Sequence, residues 1–158
     1  MTNTIFVMTL AAALGSGIVA GIFYGFSSFI MGALGKLAPH EGIAAMQSIN
    51  ITVINPVFFL AFFGTAALSL VLGGYAVMYW GTAQAALLLA GALFYLAGCI
   101  LVTIIFNVPL NNRLAKVEPA SAEGAEMWQH YLVAWTRWNT VRTVAPSVSV
   151  VLYVLAMV

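Results

Sequence analysis

Residues 5–34 contain no charged side chain, and as a helix they rise about 45 Å at 1.5 Å per residue. The hydrocarbon core of a bilayer is about 30 Å thick, so this segment is longer than a crossing needs and must tilt or protrude. The rest of the chain offers too little polar surface to bury it in water. Of 158 residues, 63% are hydrophobic and 6% charged, against about 25% charged in a soluble domain. The expectation is a single membrane-embedded, all-α domain covering 1–158. A cleaved signal peptide is the competing reading, since Ala11-Ala12-Ala13 could pass for a cleavage site. No Lys or Arg precedes it, however, and the apolar run outlasts a signal's hydrophobic region, so a span is preferred.

Three further apolar segments follow, at about 57–79, 83–106 and 141–158. Asn55-Pro56 opens the second: Asn suits an N-cap, and Pro fits where its missing N–H costs nothing. Tyr79 and Trp80 close it with interfacial aromatics. The Gly81-Thr82 turn is so short that spans two and three must be antiparallel neighbours. The third is expected to stop at Asn107-Val108-Pro109. A new helix should start near Ser121 or Ala122 and run through Trp128 and Trp138 into the fourth span. The fold expected is thus a transmembrane four-helix bundle whose fourth helix extends a short way outside the bilayer, with polar connections at 35–56 and 107–140.

Charge is concentrated in the second of those connections. Residues 111–142 hold Arg113, Lys116, Arg137 and Arg142, and three of the four acids. With Lys36, every basic residue falls on the side of the first and third connections. The positive-inside rule then places both termini outside the cytoplasm, in a plasma or inner membrane. A net charge of +1 argues against nucleic acid. The one cysteine, Cys99, cannot form an intramolecular disulfide and reads as a small buried hydrophobe. Gly17, Gly21 and Gly25, continued by Ser28 and Gly32, form a small-residue stripe, and Gly91 and Gly98 form another. Both suit close helix packing inside the bundle or in a homodimer.

Trp135, Trp138, Asn139 and Arg142 share one helical face at offsets of 0, 3, 4 and 7. Pro146 lies four residues beyond Arg142 and leaves the Arg142 carbonyl without its helical donor. These residues make either a polar pocket or an interfacial belt; Asn139 favours the pocket, because an amide facing lipid is poorly satisfied. Asn50, Asn55, Asn107, Asn111 and Asn112 gather at span ends on the same side, as caps or as contacts for a polar ligand head. Glu126 and His130 lie four apart, one turn after Glu123, and His40 sits on the other connection. A metal could use them, but no HxxH, HExxH or CxxC spacing supports it, so no cofactor is assigned. The spans carry no acid or base near mid-membrane, which argues against a transporter.

Asn55-Pro56, Asn107-Val108-Pro109-Leu110-Asn111 and Trp135-Thr136-Arg137-Trp138-Asn139-Thr140-Val141-Arg142-Thr143 together resemble the anthrone-oxygenase-like family of small four-helix membrane proteins, over essentially the whole chain. The resemblance implies an oxidoreductase, monooxygenase-like, acting on a lipid-soluble anthrone- or quinone-like aromatic. Some fungal members are linked to oxidation of anthrones to anthraquinones, and most bacterial members have no assigned activity. An anthrone enolate can react with dioxygen without a bound cofactor. Carried over, His130 or Glu126 is the base, and Arg142, Asn139 and Asn107 hold the oxyanion, a contribution of about 3 to 4 kcal/mol per donor in other enzymes. Trp135 and Trp138 form the ring slot, and Asn111, Asn55 and Asn50 bind the polar head. The alternative is a non-catalytic scaffold, partner subunit, or small-molecule binder or carrier.

Overall fold

A computed structural model describes residues 2–158, folded into five helices: α1, Asn3–Leu34; α2, Pro39–Thr52; α3, Pro56–Met78; α4, Ala83–Leu114; and α5, Ala122–Met157. Each long helix starts on a side chain that satisfies an orphan N–H. Thr2 Oγ1 accepts from the Ile5 amide, Asn55 Oδ1 from Phe58, Thr82 Oγ1 from Ala85 and Ser121 Oγ from Gly124. Gly81 turns the chain between α3 and α4 at a φ of 110°, where a side chain would be strained.

α1, α3, α4 and α5 are long and apolar enough to cross a membrane, and the chain is an integral membrane protein. They form a ring in which α1 packs on α3 and α5, and α4 packs on the same two helices. Their outer faces are apolar and exposed, with Val57, Leu60 and Val77 among the most open positions, as a lipid-facing surface requires.

Small residues set the helix approaches, though not those of the α1 stripe. A Cβ on Gly98 would lie 2.3 Å from the Ala145 Cβ, and one on Gly15 would lie 2.0 Å from Thr65 Oγ1. Gly91 approaches the Tyr153 ring as closely as 2.8 Å by the same measure. On α1 the close approach is therefore made by Gly15. Gly21 and Gly32 would meet nothing within 4 Å, and Gly17 only Val150 at 3.8 Å. The Gly17–Gly21–Gly25 stripe does not hold the bundle together, because its face turns to the outside of the ring.

Two further differences bear on the site. The first connection contains α2, whose Ile43 and Met46 are buried against the extension of α5. Gly42 permits this: a Cβ there would lie 2.7 Å from the Trp128 ring. In addition, α4 does not stop at Asn107 but continues to Leu114. Pro109 is accommodated because the preceding turn, Thr103–Asn107, is π-helical, with the Val108 amide bonded to the Thr103 carbonyl. The widened turn shifts the register ahead of the proline ring, which in an α-helical interior would meet the carbonyl four residues back. The start of α5 is as expected.

Candidate functional site

Two polar stripes face each other across the α4–α5 seam. Cys99, Thr103, Asn107 and Asn111 recur every four residues on α4; Tyr131, Trp135 and Asn139, with Arg142 beyond them, line α5. Of these, Cys99, Asn107, Asn139, Tyr131, Trp135 and Arg142 are all buried. The π-helical turns Leu96–Leu101 and Thr103–Asn107 of α4, and a third, Phe26–Ile30, in α1, all pack against α5 around this layer. Such turns are frequent at functional sites because they re-aim side chains without ending the helix.

Arg142 occupies the centre of the layer and is only 4% exposed. Its Nη2 donates to Asn139 Oδ1 at 2.8 Å and its Nη1 to Thr103 Oγ1 at 3.3 Å. The guanidinium carbon lies 4.2 Å from the centroid of the Phe23 ring and 5.1 Å from that of Trp135, so cation–π attraction contributes from both. No carboxylate balances the charge: all four glutamates occupy exposed positions, and so do both histidines. A buried cation held only by neutral dipoles and ring faces keeps its field for whatever enters the layer. Arg142 Nε has no hydrogen-bond partner among the described residues, and neither does Asn107 Oδ1. One free donor and one free acceptor are thus buried in the same layer.

The surrounding bonds fix the layer in place. Asn139 Nδ2 donates to the Phe23 carbonyl and to Ser27 Oγ, each at 2.7 Å. Asn107 Nδ2 donates to the Trp135 carbonyl at 3.2 Å. Asn111 Oδ1 accepts from both Tyr131 Oη at 2.8 Å and Trp135 Nε1 at 2.7 Å, and Asn50 lies within bonding reach of Tyr131.

Of the residues singled out from sequence, the structure brings together Arg142, Asn139, Asn107, Asn111, Trp135 and, through Tyr131, Asn50. Asn55 is used as the α3 cap; its Nδ2 also donates to the Thr52 carbonyl at 3.0 Å. His130 and Glu126 lie on the exposed face of the α5 extension, with about 13 Å of helix rise separating His130 from Asn139. The grouping of Glu123, Glu126, His130 and His40 does not form: no three such side chains gather among the described residues. Nor is the space between Trp135 and Trp138 an open slot. Trp135 is stacked on Tyr131 and edged by Phe26, while Trp138 lies flat on Phe106. Phe23, Ser27, Thr103 and Phe106 were not singled out, and Cys99 reads from sequence only as a small buried hydrophobe. The four-residue recurrence from Cys99 to Asn111 was the signal for the α4 members; nothing in the sequence marks Phe23.

An apolar groove of about 560 Å³ runs along the outside of the α4–α5 seam, lined by Leu93, Phe94, Ala97, Val141 and Val144, with the Gly98–Ala145 contact beside them.

Fold and site define a membrane-spanning four-helix bundle built around a buried, carboxylate-free arginine. A protein-family model described as anthrone oxygenase matches residues 58–152, more than half of the chain, and the chain belongs to that family. No curated protein and no solved structure matches it.

Proposed function

We propose that the protein is a membrane-embedded oxygenase acting on a lipid-soluble, anthrone-like aromatic. The observation that carries this reading is the buried Arg142 guanidinium with Nε unengaged and no carboxylate beside it. An aryl ketone with an acidic ring CH₂ forms an enolate when its oxygen is stabilised, and a preorganised cation in a dry site stabilises such an oxygen far more than it would in water. The enolate carbon reduces dioxygen and bonds to it, giving a hydroperoxide once a proton is returned. Loss of the second C–H proton with cleavage of the O–O bond leaves a ketone and water. One O₂ is consumed for each CH₂ converted to C=O, and no cofactor is required.

Arg142 holds the oxygen through its free Nε; Asn139, whose Nδ2 is committed to α1, fixes the guanidinium rather than touching the oxygen, and the apolar α4–α5 groove supplies access from the lipid. Water at the mouth of the layer takes the proton from carbon and passes it to His130 or Glu126, which are exposed outside the layer. Both termini lie outside the cytoplasm in this reading, with the basic connections inside. A second reading, a non-catalytic binder of the same class of molecule, draws on the absence of any imidazole or carboxylate from the layer.

The test is turnover of a simple anthrone by purified protein under ¹⁸O₂. The oxygenase predicts one labelled oxygen in the product ketone and one in water. No conversion above the spontaneous rate would leave the binder.

A further inference from the structure

The Phe106 and Trp138 rings stack with centroids 3.6 Å apart and planes inclined by 6°. Free aromatic pairs prefer offset or edge-to-face arrangements to a near face-to-face sandwich, because like quadrupoles repel. Both rings are half-buried, and each directly precedes an inward-facing residue of the polar layer, Asn107 or Asn139. Neighbouring residues on a helix project about 100° apart. The pair therefore bridges α4 and α5 one residue before Asn107 and Asn139, beside the layer that holds the two unpartnered atoms, Asn107 Oδ1 and Arg142 Nε. These atoms are opposite in kind: one accepts a hydrogen bond and the other donates one.

We infer that Phe106 and Trp138 part to clasp a planar aromatic ring, whose edge presents a free O–H to Asn107 and an oxygen acceptor to Arg142. The inference rests on the aromatic-substrate reading above and gives it a ring subsite and a selectivity. A carbonyl-bearing ring is electron-poor, so placing it between two electron-rich faces replaces a poor stack with two good ones. Asn107 then selects for a hydroxyl: a ligand without one leaves a buried acceptor unsatisfied, and sites built this way discriminate strongly. The subsite differs from the Trp135–Trp138 slot expected from sequence, since Trp135 is already enclosed by Tyr131, Phe26 and the guanidinium.

The experiment is equilibrium binding of two probes that need no turnover, 2-hydroxyanthraquinone, whose hydroxyl is free of the ring carbonyls, and unsubstituted anthraquinone, to the detergent-solubilised full chain. Wild type is expected to favour the hydroxylated probe at least tenfold. Asn107→Leu should abolish that preference and leave anthraquinone binding within about twofold. Phe106→Leu should weaken both probes about tenfold, whereas Trp138→Phe, which keeps an aromatic face, should stay within threefold. Monodispersity of each variant on gel filtration confirms folding. Equal binding of the two probes by wild type, no binding of either, or unchanged binding in Phe106→Leu overturns the inference. Turnover of an anthrone with any of these results leaves the oxygenase reading standing. Selective binding without turnover does the reverse.

Discussion

Arg142 Nη2 and Asn139 Oδ1 are 2.8 Å apart on the same helix, and Asn139 in turn donates to the Phe23 carbonyl and Ser27 Oγ of α1. The amide thus ties the buried cation to the neighbouring helix while leaving its charge unneutralised. Asn139→Asp should convert this neutral acceptor into a counter-ion. The guanidinium's field would then be spent inside the protein, and anthrone turnover should fall at least tenfold with little loss of thermal stability. Asn139→Leu should lower both, because it removes the acceptor from a buried charge. Turnover and unfolding temperature measured on the two variants separate the effects.

Asn111 accepts from two buried donors at once, Tyr131 Oη and Trp135 Nε1. Asn111→Leu should leave Trp135 Nε1 unpaired and Tyr131 Oη with only Asn50 in reach, a loss of about 1–3 kcal/mol for each orphaned donor. Tyr131→Phe on that background should recover part of the loss by removing the hydroxyl that has lost its Asn111 acceptor. A double-mutant cycle read by thermal unfolding in detergent checks this; strict additivity would mean that the Asn111–Tyr131 bond contributes nothing.

Gly98 and Gly21 belong to two stripes that look alike in sequence. Gly98→Val should destabilise by about 1–3 kcal/mol through overpacking against Ala145, whereas Gly21→Val should change stability by less than about 0.5 kcal/mol. A fall in oligomeric state in Gly21→Val, with monomer stability intact, would assign the outward stripe to a homodimer.

The contrast shows where sequence reading succeeds and fails in this chain. Four spans, the Asn55 cap, the start of α5 near Ser121 and the shared face of Trp135, Asn139 and Arg142 follow from charge, capping chemistry and helical period; only Asn139 indicates that this face turns inward. The stripe on α1 misleads because spacing identifies a face without saying which way it points. Pro109 misleads for a different reason: a proline ordinarily ends a helix, and nothing in Thr103–Asn107 announces the π-helical turn that absorbs it. The amides at span ends are ambiguous until their bonds are seen; Asn55 caps a helix while Asn107 and Asn111 join the site. Phe23 reaches Arg142 only through tertiary packing, which no local pattern encodes.

His130 and Glu126 are exposed and separated from the layer. His130→Ala and Glu126→Ala should each change anthrone turnover by less than about threefold, since proton transfers made in water outside the site are readily replaced. A loss of 10²-fold or more, the size expected for a positioned base, would place one of them at the reacting carbon.

The most direct measurement is oxygen uptake with a simple anthrone by wild type and by Arg142→Gln, which keeps a polar side chain but removes the charge. The buried cation as oxyanion holder predicts uptake above the spontaneous rate for wild type and a fall of about 10²–10³-fold in kcat for the variant, with a folded, monodisperse protein. Equal turnover by the two proteins would contradict it.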